Sequence, residues 1–111
     1  MKEIFDTLEK NDSDWSRNLL KNLSKKSPTS MAVAVKQLTE AKNMSFNNCL
    51  CMEFRICQAM MAKHDFYEGV RANLVDKDRN PKWKPAFLNE ITNEIIEEHF
   101  LNLGEKELIK K

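Results

Sequence analysis

The residue types that could do chemistry concentrate in residues 64–85, which read HDFYEGVRANLVDKDRNPKWKP. Asp65 and Glu68 are three residues apart, so on a helix their carboxylates lie on one face, one turn apart. That spacing suits a pair of cooperating carboxylates, and it suits an N-terminal capping box equally well. No nucleophile lies nearby for His64 to activate, which favours a boundary role for this histidine. The favoured interpretation is that Asp65 caps a helix and Glu68 completes its capping box.

Basic residues surround Trp83 in the same stretch. They are Lys77, Arg79, Lys82 and Lys84. Lysine binds phosphate as a point charge, so these side chains could form an anion-binding edge. The alternative is a solvated loop whose tryptophan is pinned to the core, because Pro81 and Pro85 forbid a regular helix there.

Gly69 stands out because the chain has only two glycines. A glycine inside a helix costs about 1 kcal/mol relative to alanine. Its presence therefore indicates that something approaches the backbone closely at this position. The approaching group is either another helix, which we favour, or a ligand.

The three cysteines, Cys49, Cys51 and Cys57, lie in one apolar stretch. On a helix Cys49 and Cys51 point about 200° apart, so they could not share a metal ion. His64 and His99 are distant in sequence, and no zinc-binding spacing appears. We predict no metal site, and we expect the cysteines to be buried thiols that act as small hydrophobic side chains.

The composition is that of a globular protein, with 41% hydrophobic and 32% charged residues among 111. A net charge of +1 provides no general attraction to nucleic acid or to an anionic membrane, so we predict neither kind of partner. The start, MKEIFDTLEK, is amphipathic and acidic, unlike a signal or transit peptide. No apolar run is long enough to span a bilayer.

Apolar residues recur at helical spacing, which predicts an all-α domain of about five to six helices over residues 1–111. Capping residues predict helix starts at Asp12 or Ser13, Ser27, Ser45, Asp65 and Thr92, with a stop at Gly104. The predicted inward faces are Ile4, Phe5 and Leu8; Trp15, Leu19, Leu20 and Leu23; Met31, Ala34, Val35 and Leu38; Leu50, Phe54, Cys57 and Met61, broadened by Cys49, Ile56 and Met60; Phe66, Val70 and Leu74; and Ile95, Ile96, Phe100 and Leu103.

The segments SPTS, HDFYEGVRANLVDKDRNPKWKP, CMEFRICQAMM and ITNEIIEEHFLNLG make the chain resemble the C-terminal region of 3-hydroxyisobutyryl-CoA hydrolases. These enzymes belong to the crotonase, or enoyl-CoA hydratase/isomerase, superfamily. The resemblance implies that Asp65, Phe66, Glu68, Gly69, Arg71 and Trp83 form the structural motif of a helical lid. It also implies that the β-β-α spiral core, with the oxyanion hole and the acidic catalytic residues, is absent from this chain.

One binding role follows from the resemblance. Across the superfamily a lysine after an E-G-x-x-A-F segment lies near the CoA nucleotide, and Lys77 follows the matching Glu68, Gly69 and Ala72. The family phenylalanine is not reproduced, because this chain has Asn73 at that position, followed by Leu74. We therefore predict that the CoA-binding residues are Lys77, Arg79 and Lys82. Coenzyme A would be part of the substrate, and no separate cofactor is expected.

The resemblance implies two alternative roles. In the first, the chain is a fragment of a hydrolase that releases 3-hydroxyisobutyrate in valine breakdown. The fragment has no catalytic residue of its own, and its partners are a crotonase core and acyl-CoA. The second is a free-standing interaction module that self-associates through an exposed apolar face. The resemblance implies a mitochondrial matrix location for a eukaryotic parent and a cytoplasmic one for a bacterial parent.

Overall fold

A computed structural model of the chain describes residues 1–109, and that part folds as an all-α structure. Its α-helices are α1 Lys2–Asn11, α2 Asp14–Leu23, α3 Pro28–Ala41, α4 Phe46–Met61, α5 His64–Val70 and α6 Asn93–Glu97. Single turns occur at Arg71–Val75 (π), Leu88–Glu90, Glu98–Phe100 and Gly104–Lys106 (3₁₀). Residues 1–109 contain no β-strand, so the predicted fold class and helix number are confirmed.

Most of the predicted helix starts are confirmed, because the capping side chains bond as expected. The hydroxyls of Ser13, Ser27, Ser45 and Thr92 each accept a hydrogen bond from the backbone N–H three residues on. Pro28 occupies the first turn of α3, where its missing N–H is not needed. Local capping chemistry therefore sets where these four helices begin.

The helices form two parts. Helices α1 and α2 pack against each other as a hairpin, residues 2–23, while α3 to α6 and the turns after them form the second part. In the described residues, no side-chain hydrogen bond or ion pair joins residues 1–23 to residues 28–109. An open gap of about 530 Å³ lies between Met1 and Lys2 on one side and Ala32, Leu88 and Ile96 on the other.

The buried core is small for a chain of this length. Within residues 1–109 its buried hydrophobic members are Leu8, Ala32, Val33, Met52, Ile56 and Ala72. Val33, Met52 and Ile56 pack together where α3 meets α4, and Phe100 covers them from the turn after α6. This cluster holds the second part of the molecule together.

Several predicted inward faces were wrong, and they fail in the same way. On α3 the buried apolar residues are Ala32 and Val33, whereas Ala34 and Leu38 are exposed. On α4 Ile56 is buried as predicted, together with Met52, but Cys57 and Met61 of the predicted stripe are exposed. On α5, Phe66 is 48% exposed and Leu74 in the following turn is 68% exposed. The apolar periodicity is present, but many of these apolar side chains lie on a surface that the chain itself leaves uncovered.

The uncovered surface is large. The chain exposes 8154 Å², whereas about 6,300 Å² is expected for a compact monomer of 13.0 kDa. Its radius of gyration is 15.7 Å, compared with about 13 Å for a compact domain of this length. One partner in a standard protein–protein interface buries about 800 Å², so the surplus exceeds one such interface.

The last predicted helix is shorter than its pattern indicated. Thr92 caps it as predicted, but α6 ends at Glu97, and Gly104 (φ 62°) opens a separate turn instead of ending α6. At this point the His99 ring donates from Nδ1 to the carbonyl of Ile95 at 2.8 Å, and Glu98–Phe100 form a 3₁₀ turn. That carbonyl is the one that the His99 backbone N–H would use in a continuing α-helix.

The expectation of three buried thiols was also wrong. Cys57 is exposed, and Cys49 and Cys51 are half-buried. In the part of the chain that the structure describes, no group of three or more His, Cys, Asp or Glu side chains is arranged to hold a metal ion. None of the described helices has the length and apolar character needed to cross a membrane.

Candidate functional site

Arg71 is the centre of an ion network at the end of α5. Its guanidinium forms two parallel bonds with the Glu68 carboxylate, from Nε to Oε1 and from NH2 to Oε2, each at 2.7 Å. Its NH1 donates to Asp76 at 2.9 Å and to Asp78 at 2.8 Å. Two-pronged bonding of this kind is strong and geometrically specific. Arg71 therefore ties residues 76–78 of the following loop back onto α5.

Glu68 is the second fixed point of this loop. Its Oε2 also accepts the backbone N–H of Lys82 at 2.7 Å. The Arg71 guanidinium and that N–H lower the pKa of Glu68 to about 2 from its ordinary value of 4.5. Glu68 is therefore an ionised anchor near neutral pH, which does not suit the role of a proton donor.

Asp65 does not form the predicted capping box, and that prediction was wrong. Helix α5 begins at His64, its N-cap is Lys63, and no side chain caps it. Instead the buried Asp65 carboxylate accepts the Ser27 hydroxyl at 2.6 Å and the Lys84 backbone N–H at 2.9 Å. His64 lies at the boundary as predicted, with Nδ1 2.9 Å from Asp65 Oδ1. A buried carboxylate needs such partners, and here they come from segments distant in sequence.

Gly69 is approached by a side chain from the loop, so the favoured interpretation, a neighbouring helix, was wrong. A Cβ at this position would lie 3.4 Å from the Trp83 ring. The ring is fixed at its other edge, because Nε1–H donates to the carbonyl of Lys25 at 2.9 Å. Trp83 is thus pinned against α5, in agreement with the structural interpretation of this loop.

The predicted CoA-binding residues lie on the loop that this network holds. Lys77, Arg79 and Lys82 are all exposed, and none makes an ion pair within residues 1–109. Lys77 (φ 58°) and Arg79 (φ 54°) have left-handed backbones, which non-glycine residues adopt at a cost. Asp76 and Asp78, held by Arg71, alternate with these two residues. Phosphate binding by these three side chains stays a prediction.

An apolar groove runs beside the network. The α5 stripe, Phe66, Val70 and Leu74, forms one wall of a groove of about 600 Å³ together with Trp83. Small polar side chains, Ser27, Ser30 and Asn73, also line it. The face of α5 that was predicted to point inward is therefore continuous. It points outward, and another surface can pack on it.

Sequence reasoning missed the long-range bonds of the site. The sequence analysis placed Arg71 in the motif but did not predict its role. Arg71 lies three residues after Glu68 and close to Asp76 and Asp78 in sequence, and this spacing was a signal for the ion network. The bonds from Ser27 to Asp65 and from Trp83 to Lys25 join segments 38 and 58 residues apart. No local pattern in a single sequence reports such pairs.

Comparisons with known proteins agree with the resemblance in the sequence. The mitochondrial 3-hydroxyisobutyryl-CoA hydrolases of Homo sapiens and Gallus gallus are each 44% identical over 108 residues. The alignment covers 97% of this chain and 28% of each relative, so the chain spans 28% of the length of these relatives.

Solved structures give the same result. A carnitinyl-CoA dehydratase from Mycobacterium thermoresistibile superposes with a TM-score of 0.86 and 31% identity, over 95% of this chain and 30% of that one. An enoyl-CoA hydratase from Rhodobacter sphaeroides 2.4.1 superposes with a TM-score of 0.90 and 28% identity, over 98% of this chain and 33% of that one. Residues 1–100 match the sequence profile described as enoyl-CoA hydratase/isomerase. The chain belongs to the enoyl-CoA hydratase/isomerase family.

Proposed function

We propose that this chain is the C-terminal helical part of a 3-hydroxyisobutyryl-CoA hydrolase, where it closes the acyl-CoA site over a crotonase core. The observation that carries the proposal is the uncovered apolar surface, above all the α5 stripe. Its helical periodicity is typical of a buried face, yet Leu74 is 68% exposed. A face of this kind is stable in water when another apolar surface covers it.

The reaction of the whole enzyme would be water attack on a CoA thioester. Such chemistry needs an oxyanion hole and a positioned carboxylate that acts on the attacking water. The carboxylates of the described site do not suit this role, because Glu68 is locked to Arg71 and Asp65 is buried against Ser27 and Lys84. We therefore expect the chain by itself to be inactive, and the remainder of the enzyme to supply both catalytic elements.

A chimera tests the proposal directly. The region of the human relative that aligns with this chain is replaced by residues 1–111, and release of free CoA from 3-hydroxyisobutyryl-CoA is measured. We expect turnover by the chimera, and none above buffer by the isolated chain or by the human enzyme that lacks the region. Turnover by the isolated chain, or a folded chimera no more active than the truncated human enzyme, would contradict the proposal.

Within that role, Lys77, Arg79 and Lys82 bind the phosphates of coenzyme A. The support is their exposure on a loop held by Arg71 and their freedom from ion pairs in the described residues. In the chimera, replacing all three by glutamine should raise KM about tenfold and leave kcat nearly unchanged, because the contacts lie far from the reacting bond. The matched control replaces three other exposed lysines, Lys10, Lys21 and Lys42, by glutamine. Equal KM values for the two triple variants would reject this assignment.

The same surplus surface supports a second candidate function, a self-associating module. In that case a second copy of the chain would cover the α5 stripe. Sedimentation of the purified chain separates the two, since this candidate requires a stable dimer or larger assembly at micromolar concentration. A monomer that nonetheless completes the active chimera would leave only the first function.

A further inference from the structure

The hairpin of α1 and α2 depends on few attachments for its position. Neither helix packs extensively on the second part of the molecule. In the described residues the side-chain bonds of the hairpin are internal, as in the pairing of Arg17 with Asp12 and Asp14. Its orientation must therefore be set mainly at the junction, residues 24–27, which connects α2 to α3.

Two long-range hydrogen bonds hold that junction, and both come from the motif. The Trp83 indole N–H donates to the Lys25 carbonyl at 2.9 Å. The Ser27 hydroxyl donates to Asp65 at 2.6 Å while it also accepts the N–H of Ser30, at 3.2 Å, as the cap of α3. A single hydroxyl thus links the start of α3 to α5.

The holding side chains are themselves fixed. Asp65 also accepts the Lys84 N–H, and Trp83 packs its ring on Gly69. The loop that leads to Trp83 is tied to Glu68 through the N–H of Lys82. The junction is therefore fastened to a rigid part of the molecule at two points, and such a double attachment removes the freedom of a hinge.

We infer that Asp65 and Trp83 are positioning residues: they hold the hairpin at a fixed angle to α5, and so fix the exposed apolar residues of the hairpin, Ile4 and Trp15, relative to the α5 stripe. The partner is the crotonase core of the same enzyme, which covers both areas together. This inference rests on the proposed function for its partner, while the fixed angle stands on the geometry alone. Binding across two areas is tight only when both are held in the productive arrangement.

Distance measurements between two spin labels test the angle without any need for activity. One label is placed on the exposed Cys57 of α4 and the other on Asn18→Cys of α2, in a chain with Cys49 and Cys51 replaced by alanine. The parent should give one narrow distance distribution. Loss of one hydrogen bond in Trp83→Phe, which keeps a ring over Gly69, should raise the displaced fraction about fivefold.

Matched variants separate positioning from general loss of structure. Trp15→Phe, on the hairpin itself, should leave the distribution unchanged, because no described hydrogen bond involves that indole. Asp65→Ala should broaden the distribution, and Asp65→Asn should restore it in large part, since the amide oxygen still accepts from Lys84. Circular dichroism must show the same helix content in all variants.

The result that would overturn the inference is a parent distribution that is already broad, or an unchanged distribution in folded Trp83→Phe and Asp65→Ala. In the active chimera, Trp83→Phe should also raise KM more than Trp15→Phe does. Should the chimera prove inactive while the distances respond as expected, the proposed function fails and the fixed angle stands. The two failures are thus distinguishable.

Discussion

The hairpin and the motif that follows α4 are built on different principles. The hairpin is well formed locally, with a capping box at Ser13 and Ser16, yet its side-chain polar bonds within residues 1–109 are internal. Residues 64–85 show the opposite arrangement, since α5 has no side-chain cap and its charged residues bond to distant segments. Local chemistry makes a helix, and long-range polar bonds place it. A substitution should therefore cost more in the motif than a matched substitution in the hairpin.

The two tryptophans give the largest expected contrast. Trp83 is half-buried on Gly69 and bonded to Lys25, whereas Trp15 is 66% exposed. Trp83→Ala should lower the free energy of unfolding by about 2–4 kcal/mol, and Trp15→Ala by about 0.5 kcal/mol or less. Urea denaturation followed by circular dichroism measures both. Equal losses would erase the distinction between the two regions.

Asp65→Ala should be nearly as damaging as Trp83→Ala. It leaves the Ser27 hydroxyl and the Lys84 N–H without their acceptor, at an expected cost of about 2–3 kcal/mol in unfolding free energy. The matched hairpin variant is Asp14→Ala, whose carboxylate is exposed and, within residues 1–109, pairs with Arg17 alone. We expect less than about 1 kcal/mol for that change. The same denaturation experiment decides, and a larger loss for Asp14→Ala would be the contrary outcome.

The Arg71 network should also make the stability of the protein sensitive to acid. A carboxyl whose pKa is lowered on folding stabilises the protein above its unfolded pKa, and that stability is lost as the pH falls through the folded pKa. For Glu68 the window runs from its ordinary pKa of 4.5 down to about 2. The unfolding free energy should fall across this window, and Glu68→Gln should flatten the profile there. Glu9→Gln, a change at an exposed hairpin residue, serves as the control and should leave the profile as it is.

Gly69 should give the smallest effect. A Cβ would lie 3.4 Å from the Trp83 ring, close to ordinary contact, while alanine gains about 1 kcal/mol in helix propensity. Gly69→Ala should therefore raise Tm by a few degrees. Gly69→Leu should displace the ring and lower Tm, which thermal denaturation by circular dichroism would show. A large loss with alanine would mean that the ring cannot adjust at all.

The sequence alone predicted the all-α class and four helix caps, because each depends on residues within one turn of each other. It did not predict the direction of the apolar faces or the partners of the polar side chains, for a physical reason. Periodicity identifies an apolar face but not what covers it, so Phe66 and Leu74 were assigned to the interior of a chain that leaves them exposed. Asp65 was assigned to a local cap because its true partners, Ser27 and Lys84, are distant in sequence. The CoA-binding role of Lys77, Arg79 and Lys82 stays a prediction.

Hydroxyl-radical footprinting of the isolated chain and of the active chimera measures most directly whether the remainder of the enzyme covers the apolar face. The readouts are the oxidation rates of Phe66 and Leu74, with the buried Met52 as a reference that stays slow in both proteins. Our account predicts fast oxidation of both side chains in the isolated chain and strong protection in the chimera. Equal oxidation rates in the two proteins would show that nothing covers this face and would contradict the account.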